Sequence, residues 1–368
     1  MPLSFRLLKR LDLHLLISIG LLVFFGLFIL YSATFDQFAD ETSPLLFLIK
    51  QLIAFFLGTL FMFGATYMDY HFLEQYAEVF YFLLLSLLLI VINIGQASTG
   101  VQRWLYFGSF NIQPSEIAKL GVIIILAKFF ANHKGSLNSF VEIFPALIII
   151  GIPFLLIFKQ PDLGTALMFI IIFLGMGYWA GINSLLLFLI ISPFFSILIF
   201  NGISFHPWLF WGIYLLSILF ILHYYKINLI DTGIFFGLNI MSGITFPLLW
   251  NSLQYYQQQR LLSFINPAID PMALGTRYHT AKSVIAIGSG GIVGQGFLRG
   301  PLTHLHYIPE HHTDFIFTVI GEEFGLIGTL FIIFLLGYII FRGLRIAVNA
   351  QDEFGSLLAI GIVSLLLF

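Results

Sequence analysis

The chain has 368 residues, 59% of them hydrophobic and only 9% charged, with a mean hydropathy of +1.00. Soluble domains carry roughly 25% charge, so this balance excludes a soluble globular protein and indicates a polytopic membrane protein. There are no cysteines, hence no disulfide, thiolate metal site or thiol nucleophile, and a net charge of −2 with singly scattered basic residues argues against a nucleic-acid surface. A spanning helix needs roughly 20 mainly apolar residues. Such runs lie near 13–34, 45–67, 75–95, 114–132, 139–158, 162–180, 183–201, 206–223, 228–250 and 313–341. Arg6, Lys9 and Arg10 precede the first run in the manner of a signal peptide, but that run is long enough to span and has no small-residue cleavage motif. A last apolar run, 355–368, stops short of a full span, so the expectation is a fragment. The fold expected is all-α, a single membrane domain over 1–368 with about 10–12 transmembrane helices and one large loop at 251–312.

Basic residues orient the bundle. With the N-terminus cytoplasmic, Arg6, Lys9, Arg10, Lys128, Lys134, Lys226, Arg342 and Arg345 fall inside. Lys50, Arg103, Lys119, Lys159, Arg260, Arg277, Lys282 and Arg299 fall outside. The last four lie in the loop from Asn251 to Thr313, and loops longer than about 60 residues do not count toward the positive-inside rule. The remainder favours a cytoplasmic N-terminus, which places the 251–312 loop on the extracytoplasmic face.

Five constellations carry candidate chemistry. In GVQRWLYFGSFNIQPSEIAK, Pro114 suits the first turn of a helix, and Glu116 and Lys119 then share one face near its outer end. With Arg103 and Trp104 just before, the set suits a phosphorylated, sugar-bearing lipid head. A structural ion pair beside an interfacial aromatic anchor would use the same residues. In QPDLGTA, Asp162 suits a helix cap and equally a cavity wall. The most polar window of the chain, Gln254–Glu323, holds Arg260 in YQQQR and Asp270 between Pro267 and Pro271. A carboxylate fixed there at a membrane surface could act as general base; an ordinary Asp-Pro turn is the bland reading.

The glycines of IAIGSGGIVGQGFLRG resemble a phosphate cradle without its lysine, and read better as a flexible re-entrant or surface segment. In PEHHTDFIFTVIGEEFG, Asp314, Thr318, Gly321 and Gly325 form one helical stripe with Glu322 at its edge and Glu323 pointing away. Small residues on that stripe permit close helix packing. The five histidines His279, His304, His306, His311 and His312 match no H-E-x-x-H spacing, so no protein-ligated metal is expected.

In combination and order, RW…QPSEIAK, QPDLGTA, YQQQR, DP at 270–271, IAIGSGG and PEHHTDFIF…GEEFG resemble the SEDS family of integral-membrane peptidoglycan glycosyltransferases, the RodA and FtsW proteins. The run GSGG followed by GFLRGPLTHLHYIPE is more similar to the elongation branch than to the division branch. The resemblance implies polymerisation of lipid II outside the bacterial cytoplasmic membrane, with Asp270, the acidic residue of the Asp-Pro motif, as general base. Arg103, Lys119, Arg260 or a loosely held divalent cation (Mg or Mn) would neutralise the departing pyrophosphate, and no tightly bound cofactor is implied. Trp104, Glu116, Asp162, Glu310, His312 and Asp314 match motif positions and are assigned to the substrate cavity. The implied partners are a class B penicillin-binding protein, other membrane proteins of the elongation complex, and membrane lipids. Departures from the family pattern are two extra residues after Asp270, Lys282 in place of a Gln, two extra helices within 181–255, and no C-terminal Gly-Gly-Ser motif. A lipid II flippase or a non-catalytic scaffold for the transpeptidase would share the bundle. A transporter predicts charges spread across several helices, whereas here they gather near one face.

Overall fold

The computed structural model describes residues 11–35, 44–94, 104–107, 110–160, 162–202, 206–252, 258, 278–304 and 313–368. The fold is an all-α membrane bundle, and every run expected to span falls on a helix: α1 Leu13–Thr34, α2 Pro44–Tyr67, a short α3 His71–Gln75, α4 Ala77–Ile94, α5 Pro114–Asn132, α6 Phe140–Lys159, α7 Leu163–Trp179, α8 Ser184–Gly202, α9 Pro207–Tyr224 and α10 Leu229–Ser252. Beyond residue 252 come α11 Tyr278–Ser289, a one-turn α12 Pro301–His304, α13 Ile316–Val348 and α14 Glu353–Leu367. One element departs from an all-helical reading. Strands β1 Leu105–Phe107 and β2 Phe110–Ile112 pair antiparallel, with Leu105 opposite Ile112 and Phe107 opposite Phe110. Among the described residues, six helices are long and apolar enough to cross a membrane, and the residues of Leu46–Tyr67 in α2 are all left unburied. An apolar helix with no buried face is suited to lipid rather than water on its outside.

Polar residues set the helix starts. Asp12 caps α1 by accepting from the Leu15 N–H at 3.1 Å, and Asp352 caps α14 through the Gly355 N–H at 2.7 Å. Ser139 and Glu142 form a reciprocal capping box at α6. The chain divides into two compact units, Met1–Asp69 with Tyr255–Arg345, and Tyr70–Gln254 with Ile346–Phe368.

In the second unit α14 lies against α5 and α7 through small residues. A Cβ on Gly361 would sit 2.4 Å from Ile123, and one on Gly175 would sit 2.2 Å from the Ser364 hydroxyl, so these backbones approach as only glycine permits. Helices α8, α9 and α10 are joined by buried hydrogen bonds. Trp211 Nε1 donates to Ser196 Oγ (2.8 Å), Ser196 to the Asn239 carbonyl (2.6 Å), and Asn239 Nδ2 to Ser192 Oγ (2.8 Å). The Tyr214 hydroxyl donates to the Ser192 carbonyl at 2.6 Å. Pro193 has no N–H to offer the Leu189 carbonyl, and Ser192 Oγ donates to it instead at 2.7 Å. At the end of this unit where α5 finishes and α14 begins, Tyr70 donates to Asp352, Lys134 pairs with Glu353, and Lys128 pairs with Glu78 at 2.7 Å.

In the first unit α13 is longer than the expected 313–341 and is not one continuous helix. Gly325 breaks it at φ 62°, ψ −154°, a conformation essentially confined to glycine. An α-helix would direct the N–H groups of Leu326 and Ile327 to the carbonyls of Glu322 and Glu323. Instead Leu326 N–H donates to the Gly291 carbonyl (2.9 Å) and Ile327 N–H to that of Ile292 (3.2 Å). The two freed carbonyls accept from Gln295 N–H and Gly296 N–H, each at 3.0 Å. The glycine run, expected to be a flexible re-entrant or surface segment, is fastened to α13 as a seam by these backbone bonds, while Gly291, Ile292 and Val293 stay exposed. A Cβ on Gly294 would lie 2.1 Å from the Glu323 carbonyl oxygen, and one on Gly290 would lie 2.0 Å from that of Gly321. The Phe297 and Phe28 rings, stacked 4.2 Å apart, extend the seam onto α1.

The same unit closes at its other end with Arg342 Nε donating to Asp12 Oδ2 at 2.9 Å. Burial pushes the Asp12 carboxyl up, but the hydrogen bonds from Arg342 and the Leu15 N–H outweigh it and hold the group below the ordinary carboxylate value. A lowered folded pKa contributes stability that is complete above the unfolded value of about 3.9 and is lost as pH falls through the folded value. Thermal melts of the purified protein should therefore lose stability below about pH 4, and Asp12→Asn should flatten that acid limb while lowering the melting temperature at neutral pH.

Candidate functional site

The β1–β2 hairpin delivers the chain directly to the start of α5. Gln113 occupies the N-cap position in an extended conformation but makes no cap with its side chain, and Pro114 supplies the first turn. Glu116 sits in that first turn, where a carboxylate complements the exposed N–H groups of the helix. Its Oε2 lies 2.8 Å from Lys119 Nζ one turn later. The two partners differ in exposure: the Glu116 side chain is 55% exposed and that of Lys119 11%. The cation is thus drawn into the unit and the acid faces outward.

Asp162 stands at the start of α7 and divides its carboxylate between two donors. Oδ1 accepts from the Thr165 N–H at 3.2 Å, a helix cap, and Oδ2 accepts from Gln113 Nε2 at 3.3 Å. The cap reading of Asp162 holds, and the second oxygen fastens QPDLGTA to QPSEIAK across the starts of α5 and α7. Gln160, 5% exposed, ties the same turn to α4 by donating to the Leu88 carbonyl at 3.5 Å. Gln113 and Gln160 were not singled out in the sequence, although each is the polar residue immediately before a helix-starting proline or aspartate turn. Because α5 runs from Pro114 to Asn132, this cluster lies at the opposite end from the Lys128 and Lys134 ion pairs.

Of the other expected site residues, Trp104 precedes β1 and is 38% exposed. Asp314 is exposed in the turn that leads into α13, within the other unit. Glu322 and Glu323 are fully buried at 0% and 1%. Glu323, expected to point away from the glycine stripe, meets α1, where Ser32 donates to its Oε1 at 2.5 Å. Arg103, Arg260, Asp270, Glu310 and His312 lie outside the described residues. Among the described residues no three His, Asp or Glu side chains converge as metal ligands. What the described cluster offers is a recessed ammonium balanced by an exposed carboxylate and braced by an amide–carboxylate bond. That arrangement can receive an anion without exposing an uncompensated buried charge.

Comparison with known proteins gives a consistent result. The family model described as Cell cycle protein, covering FtsW, RodA and SpoVE, matches residues 13–211 and 211–368. The peptidoglycan glycosyltransferase MrdB of Escherichia coli is 35% identical over 294 residues, which is 80% of this chain and 66% of that protein. The chain thus spans just under two thirds of that relative's length. The probable peptidoglycan glycosyltransferase FtsW of Geobacter metallireducens is 33% identical over 100% of this chain and 86% of its own length. The peptidoglycan glycosyltransferase RodA of Treponema pallidum is 29% identical over 97% of this chain and 87% of its own length. Two solved structures share the fold. A chain from a peptidoglycan synthase complex aligns with a TM-score of 0.61 at 24% identity, over 97% of this chain and 84% of that one. The rod shape determining protein RodA of Thermus thermophilus aligns with a TM-score of 0.57 at 20% identity, over 97% and 81%.

Glu116 and Lys119 should respond unequally to substitution. Glu116→Ala strands a recessed ammonium and should destabilise the purified protein by about 1 kcal/mol, discounted for the exposure of the acid. Adding Lys119→Met should recover part of that loss in a thermal-melt double-mutant cycle, and additive losses would show that the pair is uncoupled.

Proposed function

The chain belongs to the FtsW, RodA and SpoVE family, and from that premise we propose that it is a peptidoglycan glycosyltransferase that polymerises lipid II for cell-wall elongation. It is a multi-pass membrane protein; its placement in the bacterial cytoplasmic membrane, with the reaction on the extracytoplasmic face, is part of the proposal. The observation that carries the reading is the joining of QPSEIAK to QPDLGTA at one end of the bundle by the Gln113–Asp162 bond, with Lys119, recessed and paired with Glu116, in the same first turns of α5. A phosphorylated lipid presents its charge at the membrane surface, which is the level such a cation would occupy.

In the proposed reaction the free hydroxyl of an acceptor disaccharide attacks the anomeric carbon of the donor glycan. Asp270 takes the hydroxyl proton as the new glycosidic C–O bond forms, and the donor's bond to undecaprenyl pyrophosphate breaks with its electron pair leaving on the phosphate oxygen. Lys119, with Arg103 and Arg260, would stabilise that developing negative charge. Trp104, Glu116, Asp162, Glu310, His312 and Asp314 would line the substrate cavity. A divalent cation, Mg or Mn, would add to the charge neutralisation at the pyrophosphate, and its requirement is tested by chelation. The proposed partner is a class B penicillin-binding protein, whose transpeptidase activity would crosslink the emerging glycan, alongside further membrane proteins of the elongation complex. The alternative, a flippase, needs a polar path through the bilayer.

Purified protein given purified lipid II should produce glycan chains resolved by gel electrophoresis. Asp270→Asn should lower the rate by about 100-fold or more, the range of a lost general base. Wild-type polymerisation by that variant would remove Asp270 from the mechanism, and equal lipid II scrambling in liposomes by both forms with no polymer would favour transport.

A further inference from the structure

Two adjacent carboxylates deep in a membrane helix require an explanation, because an ionisable side chain held in the bilayer interior is costly. Glu322 and Glu323 lie just before the break in α13, and each acts twice. Their main-chain carbonyls hold Gln295 and Gly296 of the glycine seam. Their side chains reach in different directions, Glu323 to Ser32 of α1 and Glu322 to the backbone N–H of Leu302 in α12, at 2.8 Å. The break is therefore the point at which α1, the glycine seam and α12 are all pinned to one helix.

The Glu322 contact grips α12, the element next before α13 among the described residues. α12 ends at His304, and α13 is entered through the turn that contains Asp314. In sequence the stretch 305–312, with Glu310 and His312, joins the two. α12, which precedes that stretch in sequence, is tethered to α13 through the Leu302 N–H and the Glu322 carboxylate. We propose that Glu322 is a positioning residue for glycan transfer, fixing α12, the element that precedes Glu310 and His312 in sequence, against α13. The proposal rests on the glycosyltransferase reading above. A carboxylate accepting a backbone N–H makes a stronger bond than a neutral acceptor, and inside a bundle it loses little to water. The uncharged amide of glutamine keeps an oxygen in the same place, whereas alanine removes the acceptor.

The test compares wild type, Glu322→Gln and Glu322→Ala as purified full chains, by lipid II polymerisation and by amide hydrogen exchange. Glu322→Ala should lower kcat by about 10- to 100-fold, the size expected of a small misplacement of reacting groups, with KM changed by less than about 3-fold. Glu322→Gln should stay within about 3-fold of wild type in both. Exchange at 301–304 should accelerate in Glu322→Ala and not in Glu322→Gln, while exchange along α5 stays unchanged in both, which separates local release from global unfolding. Wild-type kcat in Glu322→Ala, or a Glu322→Gln variant as slow as Glu322→Ala, would overturn the positioning role. Unchanged exchange at 301–304 in Glu322→Ala would overturn the tether itself. If wild type forms no polymer, the glycosyltransferase reading and the positioning role fail together, and the exchange comparison alone decides whether the tether exists.

Discussion

A backbone dissolved in lipid has to satisfy its N–H and C=O groups internally, and the break at Gly325 is where that constraint shapes this protein most strongly. Ending the helical ladder there frees two N–H groups and two carbonyls, each of which would be costly to leave unmet at that depth. The glycine seam supplies two carbonyls and two N–H groups in return, at 2.9 to 3.2 Å. Glycine at the points of contact lets the backbones come that near, because a Cβ at Gly290, Gly294 or Gly325 would fall within 2.8 Å of backbone atoms. A local defect in one helix thus becomes a fixed attachment for the chain between α10 and α13, the region that also contains the Asp-Pro motif.

The second unit meets the same constraint with side chains. Ser192, Ser196, Asn239 and Tyr214 knit α8, α9 and α10 together, and one of their bonds repairs the carbonyl left without a donor by Pro193. At the starts of α5 and α7, Gln113, Glu116, Lys119 and Asp162 form an ion pair and an amide–carboxylate bond that share no atoms but sit on one short helix start. Rigid helices presenting a few braced polar groups at their ends are a suitable base for chemistry on a lipid whose reactive head lies at the membrane surface.

Helix positions were legible in the sequence because apolar runs were long and their starts were marked by Pro, Ser or Asp, as at Pro114, Ser139 and Asp162. The close-packing stripe through Gly321 and Gly325 was legible from helical periodicity. Partners were not. Periodicity assigns a residue to a face but cannot say that Glu323 meets Ser32, 291 positions away, or that Gln113 meets Asp162. The break at Gly325 was hidden for a related reason: glycine in a membrane helix reads first as a packing residue, and its positive φ depends on a distant segment. The β1–β2 hairpin did leave a local signal, two short aromatic and β-branched runs separated by Gly108-Ser109, which apolar-run counting overrode. The polar network of α8 to α10 also left one, in hydroxyl and amide residues spaced three or four apart on apolar helices.

The central claim is that four exchanged backbone hydrogen bonds bind the glycine seam to the broken helix. Residue-level amide exchange on the purified protein in a membrane mimetic tests it directly. The amides of Gln295, Gly296, Leu326 and Ile327 should be protected to a similar degree and open together as one unit. Fast exchange at Leu326 and Ile327, as at a frayed helix start, with Gln295 and Gly296 behaving independently, would contradict the account.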